Sequence, residues 1–334
     1  MTYIPDKNRY IKMPYKRCGD SGLKLPALSL GLWHNFGNTG DFENMKKMCF
    51  TAFDSGITHF DLADNYGPPE GSAEINFGKI LNSDLKSYRD ELVISTKAGH
   101  LMWDGPYGDF GSRKHLISGL DQSLKRMNID YVDVFYHHRP DPETPLEETM
   151  LALSGIVKSG KALYIGLSKY PPDLFKQATK ILNELKVPFI ISQNRYSILD
   201  RTFEESKALE TVCECKKGVI VFSPLAQGLL SGRYLNGISS DSRVKTDGRF
   251  LKEASITEEL LVKLKKLNLM AEKRGQTLAQ MALAWIYSKK EITSVLIGAS
   301  KPAQITENIR MLENISFSEE ELTEIDNIVK NNRG

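Results

Sequence analysis

Three short stretches gather the side chains best suited to moving a proton. HFDLADNYG holds Asp61, Asp64 and Tyr66, LVISTKA carries Lys97, and YVDVFYHH closes on His137 and His138. A lysine inside a run as apolar as LVIST is costly to bury unless a carboxylate pairs with it, and Asp61, itself in an apolar run, supplies that charge. Tyr66 comes late enough after Asp61 to begin the next loop and return over the strand ends. A phenol titrates near ~10, and a neighbouring ammonium favours its ionised form, making it a better proton donor or acceptor near neutrality. Asp61, Lys97 and Tyr66 therefore predict an acid/base relay.

Only one of the two histidines can join it. Strand alternation sends His137 with Asp133 and Phe135 to one face and His138 with Val134 and Tyr136 to the other, without saying which face looks inward. A metal-dependent hydrolase built on His59, Asp61 and one of this pair is the competing chemistry. It leaves Lys97 and Gln193 without a purpose. Further polar side chains stand where other apolar runs end, namely Ser168 and Lys169, Gln193 and Asn194, and Ser223.

Such a harvest needs elements that bring strand ends together. Eight runs rich in β-branched and apolar residues alternate with helical periodicity: 27–31, 57–63, 92–98, 131–138, 162–168, 188–194, 218–225 and 293–299. Between them, Leu116, Ile117, Leu120, Leu124 and Met127 form one helical stripe over 112–128. Thr144-Pro145-Leu146-Glu147 and Ser318-Glu319-Glu320-Glu321 read as capped helix starts, while Gly56, Gly160 and Gly218 follow helices. The pattern predicts a single α/β domain over 1–334, a (β/α)8 TIM barrel whose site lies at the C-terminal strand ends. An open dinucleotide fold is disfavoured, because the first run leads into GLWHNFG and not into GxGxxG. An N-terminal β-hairpin turning at Gly19-Asp20-Ser21-Gly22 and a long loop at 228–254 decorate the barrel.

Composition narrows the partners. Of 334 residues, 26% are charged with a net charge of +2, and no basic stripe concentrates that charge, so nucleic acid and anionic membrane are poor candidates. The start MTYIPDKNRYIKMPYKR lacks the apolar core of a secretory signal and no run approaches a membrane span, so a cytoplasmic protein is expected. Cys18, Cys49, Cys213 and Cys215 form no CxxC and read as reduced structural thiols.

The motifs GITHFDLADNYG, LVISTKAG, YVDVFYHHRPD, ISQNRYSIL, FSPLAQGLLSGRY and VLIGASKPAQITENI are long and ordered, and over essentially its whole length the chain resembles the aldo-keto reductase superfamily. Within it, GLWHNFGN, NYGPPEGSAE and KAGHLMWDGPYGDFGSRK are similar to the bacterial L-glyceraldehyde 3-phosphate reductase group, with potassium-channel β-subunits further off. The resemblance implies an NADPH-dependent reductase of small aldehydes, without a metal. Tyr66 would be the general acid, Lys97 would lower its pKa, Asp61 would anchor Lys97 and His138 would orient the carbonyl. It also implies cofactor contacts from Gly31, Trp33, Asp61, Ser168, Lys169, Gln193 and Phe222, and from Ser223, Pro224, Leu225, Ala226, Gln227, Gly228, Arg233 and Arg243 around the pyrophosphate. Gly298, Ser300, Gln304, Glu307 and Asn308 would meet the adenosine end, and the long loop becomes a cofactor clasp.

For substrate, Trp33, Tyr66, Trp103, His138 and Arg139 are the expected contacts. Arg139 suits either an anionic substrate or a surface pair with Asp141. A nicotinamide-sensing regulatory subunit is the alternative function; the channel-associated relatives depart at the histidine, whereas this chain keeps His138. A homo-oligomer is expected from the same branch.

Overall fold

The computed structural model describes residues 3–235, 237 and 252–330. Two short strands, β1 (Tyr15–Arg17) and β2 (Lys24–Pro26), pair antiparallel as the expected hairpin. Eight more follow: β3 (Leu28–Gly31), β4 (His59–Asp61), β5 (Val93–Ala98), β6 (Val132–His137), β7 (Ala162–Ser168), β8 (Phe189–Arg195), β9 (Gly218–Phe222) and β10 (Ser294–Ile297). They are parallel and close in the order β10-β3-β4-β5-β6-β7-β8-β9. Each predicted run coincides with one barrel strand, most trimmed where the chain turns into a βα loop and β8 extended by one residue to Arg195.

Around the barrel run α1 (Phe42–Asp54), α2 (Ser72–Ile80), α3 (Arg113–Met127), α4 (Leu146–Lys158), α5 (Pro172–Glu184), α6 (Thr202–Glu205), α7 (Ala208–Glu214), α8 (Glu258–Lys273), α9 (Leu278–Tyr287), α10 (Pro302–Ile309) and α11 (Glu319–Lys330). Their apolar faces meet the outward strand residues in one continuous core. On α3 the stripe Leu116, Leu120, Leu124 and Met127 is buried and Ile117 packs at its margin, while the Ser112 hydroxyl accepts from the His115 amide to cap the first turn. Such a cap is worth ~1 kcal/mol. Ser318 and Glu321 exchange both bonds of the capping box read from the sequence.

Two expected boundary signals act differently. Thr144 does not cap α4; its amide is held by Asp141, and Pro145 occupies the cap position. Gly218 opens β9 and ends no helix: a Cβ there would lie 2.4 Å from Cys18 Sγ. The absent side chain lets the hairpin seat against the barrel. Cys18 and Leu25 are fully buried there beside Ile190, Ile191, Val134, Ile220 and Leu296, so the hairpin seals the N-terminal end. The site can only open at the other end.

Among the described residues no helix is long and apolar enough to cross a membrane. The four cysteines are free, as expected. Much of the predicted long loop, including Arg243, falls outside the described residues.

Candidate active site

Inward-facing positions of three adjacent strands and their neighbour build a polar seam through an otherwise apolar interior. Ser29 Oγ lies 2.7 Å from Ser294 Oγ and 2.9 Å from His59 Nδ1, and His59 Nε2 lies 2.9 Å from Ser95 Oγ. Ser95 donates to Asp61 Oδ1 at 2.6 Å. The same carboxylate accepts from Lys97 Nζ at 2.5 Å and from Gln193 Nε2 at 3.2 Å. Asp61 and Lys97 are wholly buried, and Lys97 also donates to Leu62 O at 2.6 Å. Burial depresses the lysine and Asp61 opposes that shift, the balance expected of a charge kept inside only because it is paired.

Tyr66 sits in the turn after β4, its amide bonded to Ala63 O. Its hydroxyl comes back to 3.4 Å from Lys97 Nζ, and its ring faces that of His138 edge-on at 6.0 Å between centroids. Burial raises the phenol well above its ordinary value, with Asp61 and Asp64 adding to the rise. Lys97 does not reverse that rise. Desolvation of a phenolate outweighs one ammonium whose charge Asp61 already balances, so Tyr66 stands protonated.

The structure resolves the two histidines. His138 faces the mouth, its imidazole kept neutral by burial and then by Lys97, His100, Lys169 and His137. His137 faces outward, with Nδ1 2.6 Å from the Tyr170 hydroxyl, and burial draws it down to about 3. His59, at about 4 for the same reason, has both ring nitrogens engaged by serines. With His137 on the outer face and His59 so engaged, the metal-hydrolase geometry is not assembled.

Asp64 also lies outside the mouth. It is fully buried near Glu74 and Arg126, and burial, then Glu74, raises it well above the usual carboxylate range. Glu74 is held by Thr96 at 2.5 Å and Arg126 at 2.6 Å. Arg139 bonds Asp109 at 2.6 Å and Gly99 O at 2.8 Å and lies over Phe110, so the expected pairing with Asp141 does not form. Asp141 turns instead to the amides of Gly111, Glu143 and Thr144. Trp103 packs on His115 at 5.1 Å and Trp33 on His34 at 5.3 Å.

The remaining predicted contacts line the C-terminal ends of the strands from β7 to β10. Ser168 ends β7 with its hydroxyl buried and unpartnered, an orphan that a ligand amide would satisfy. Phe222 ends β9, and its ring packs on the barrel interior. Beyond it Ser223, Ala226, Gln227 and Gly228 all hold positive φ, 55°, 47°, 59° and 96°. Such a coiled segment turns successive amides into a concavity suited to an anion. Ser300 donates from amide and hydroxyl to Gln304 Oε1 at the start of α10, and Glu307 further along it accepts from Gln280. These features fit a bound dinucleotide.

Sequence reasoning missed the seam as a unit. Its signal was present: His59 lies two before Asp61 and Ser95 two before Lys97, so each pair shares the inner face.

Residues 27–330 match the model of the Aldo/keto reductase family. The chain is 53% identical over 329 residues to the L-glyceraldehyde 3-phosphate reductases of Escherichia coli O157:H7 and of strain K12, covering 98% of this chain and 95% of each relative. It is 38% identical over 306 residues to a probable voltage-gated potassium channel subunit beta of Oryza sativa subsp. japonica, covering 90% and 92%. With its closed parallel barrel and a match spanning nearly its whole length, the chain belongs to the aldo/keto reductase family.

Proposed function

We propose that this chain reduces small aldehydes to alcohols with NADPH, with phosphorylated trioses and 2-oxo aldehydes such as methylglyoxal as the substrate class. The observation that carries the reading is the buried Asp61–Lys97 pair with the Tyr66 hydroxyl 3.4 Å from the ammonium. Reduced nicotinamide, when bound, supplies the hydride. Tyr66 donates its proton to the carbonyl oxygen as the carbon is reduced, so C=O becomes CH–OH and a phenolate remains. Lys97 faces that phenolate, Asp61 holds Lys97 in place, and Tyr66 regains its proton through the mouth. Neutral His138 orients the carbonyl beside Tyr66, where a charged imidazole would compete for the role of acid.

Ser168 and Gln193 would hold the nicotinamide amide, Phe222 its ring, and the turn from Ser223 to Gly228 the pyrophosphate. The preference for NADPH over NADH rests on Ser300, Lys301 and Gln304 at the adenosine end. Glu307, an acid in that segment, is engaged by Gln280 and lies 3.8 Å from Arg310, so no carboxylate there is reserved for a ribose hydroxyl. The 53% identity to reductases named for glyceraldehyde 3-phosphate supports the substrate class.

The test is Tyr66→Phe, which keeps the ring and removes the proton. NADPH oxidation with methylglyoxal or glyceraldehyde 3-phosphate is expected to fall ~10²–10⁴-fold in kcat, with NADPH affinity by fluorescence titration nearly intact. Turnover at the original rate would sink the reading.

A further inference from the structure

Among the described residues, Lys169 is a cation at the mouth that no carboxylate meets. It follows β7 with φ at +61°, a conformation that side chains bearing a Cβ rarely adopt, while its amide donates to Gln193 O at 3.1 Å. Residues held in that region cluster where a structure over-determines them, ligand clamps among them. Its side chain reaches His100, Nζ to Nε2 at 3.3 Å. The His100 ring in turn stands perpendicular to that of His138, 4.5 Å between centroids. A line of groups thus runs from the carbonyl-orienting imidazole through His100 to an ammonium at the rim.

The other cations nearby sharpen the contrast. Arg139 is balanced by Asp109. Arg195, at the end of the adjoining β8, adds positive charge beside Lys169. Among the described residues neither Lys169 nor Arg195 has an ion-pair partner. Burial, followed by Arg139, Lys97 and Arg195, draws the Lys169 ammonium down to about 8, and burial together with Lys169 holds His100 neutral at about 4. A neutral imidazole accepts from the ammonium without cancelling its charge. Among the described residues this corner sets three cations, Arg139, Lys169 and Arg195, against the one carboxylate of Asp109.

We propose that Lys169, assisted by His100 and Arg195, is the subsite for the phosphate of a phosphorylated aldehyde whose carbonyl lies between Tyr66 and His138. The assignment rests on the reductase reading above and adds to it the residues that select the charged substrate. A triose with its carbonyl between Tyr66 and His138 would bring its phosphate to Lys169 by following the line from His138 through His100. Ammonium and guanidinium both make charge-assisted bonds to such a dianion. The direction of the side chain distinguishes Lys169 from Ser168, whose buried hydroxyl remains for the nicotinamide amide.

The deciding quantity is the ratio of kcat/KM for glyceraldehyde 3-phosphate to that for glyceraldehyde, measured in the unsubstituted protein, Lys169→Met and Lys169→Arg. The ratio is expected to fall about tenfold or more in Lys169→Met, through KM for the phosphorylated substrate, and to recover largely in Lys169→Arg. An unmoved ratio overturns the subsite. So does an equal loss on both aldehydes with weakened NADPH binding, which would return Lys169 to the cofactor. Inorganic phosphate titrated by calorimetry reads the same corner without turnover: binding that weakens in Lys169→Met supports the subsite, and equal binding or none in both proteins overturns it. If the unsubstituted protein reduces no aldehyde with NADPH, the reductase reading fails on its own, and the phosphate titration still decides the anion site.

Discussion

Replacing both members of the Asp61–Lys97 pair should cost well short of the sum of the two single replacements. Opposite charges ~4 Å apart attract by about 4 kcal/mol at an effective dielectric near 20, and removing one partner of a buried pair typically costs ~3–5 kcal/mol because the other charge stays behind. In Lys97→Met, Asp61 keeps the Ser95 hydroxyl and the Gln193 amide. In Asp61→Asn, Lys97 keeps Leu62 O. These remaining partners place each single loss near the lower bound, about 3 kcal/mol. The double variant buries no charge, and its cost should fall short of the sum by at least about 2 kcal/mol. Urea unfolding followed by tryptophan fluorescence, with matched slopes, reads all four corners of the cycle. Single variants within about 1 kcal/mol of the parent, or a double variant equal to the sum, would refute the paired-charge account.

Two further outcomes follow from the histidines. His138→Ala should lower turnover ~10²-fold or more, whereas His137→Ala should chiefly cost stability, ~1–3 kcal/mol, by leaving the Tyr170 hydroxyl unpaired; equal kinetic damage from both at unchanged stability would contradict the parity. His59 and His137, buried and neutral at about 4 and about 3, have folded values below the unfolded ~6.5. Their contribution is complete above that pH and is lost as pH falls from ~6.5 toward about 4, at ~1.4 kcal/mol per pH unit for each. Urea midpoints at pH 7, 6 and 5 should decline, and a flat series would show that neither ring is forced to charge on unfolding.

The barrel was readable because parallel strands buried on both faces leave long apolar runs, and the relay because a lysine inside such a run calls for a partner. Parity put His137 and His138 on opposite faces without saying which looked inward; that depends on how the sheet closes, which a single strand does not encode. Arg139 showed the same limit. Its neighbour in sequence, Asp141, was the natural partner, but the loop between β5 and α3 brings in Asp109 from thirty residues away. The family resemblance put Lys169 beside the cofactor, while the left-handed backbone that turns its side chain toward His100 is not written in the sequence. His59 was visible as a metal ligand because its type invited that reading, while the two serines that engage it come from the strands on either side.

The seam beneath Tyr66 has a direction as well as a position. Asp61 as a carboxylate only accepts, so the Ser95 hydroxyl must point its hydrogen at it, as the 2.6 Å bond requires. The Ser95 oxygen then accepts from His59 Nε2–H, and a neutral His59 accepts at Nδ1 from the Ser29 hydroxyl, whose oxygen is left for Ser294 to donate to. One negative charge thereby aligns four hydrogens along four neighbouring strands of the barrel. The tautomer of His59 and the rotor of Ser294, two strands from Asp61, are set by a single carboxylate.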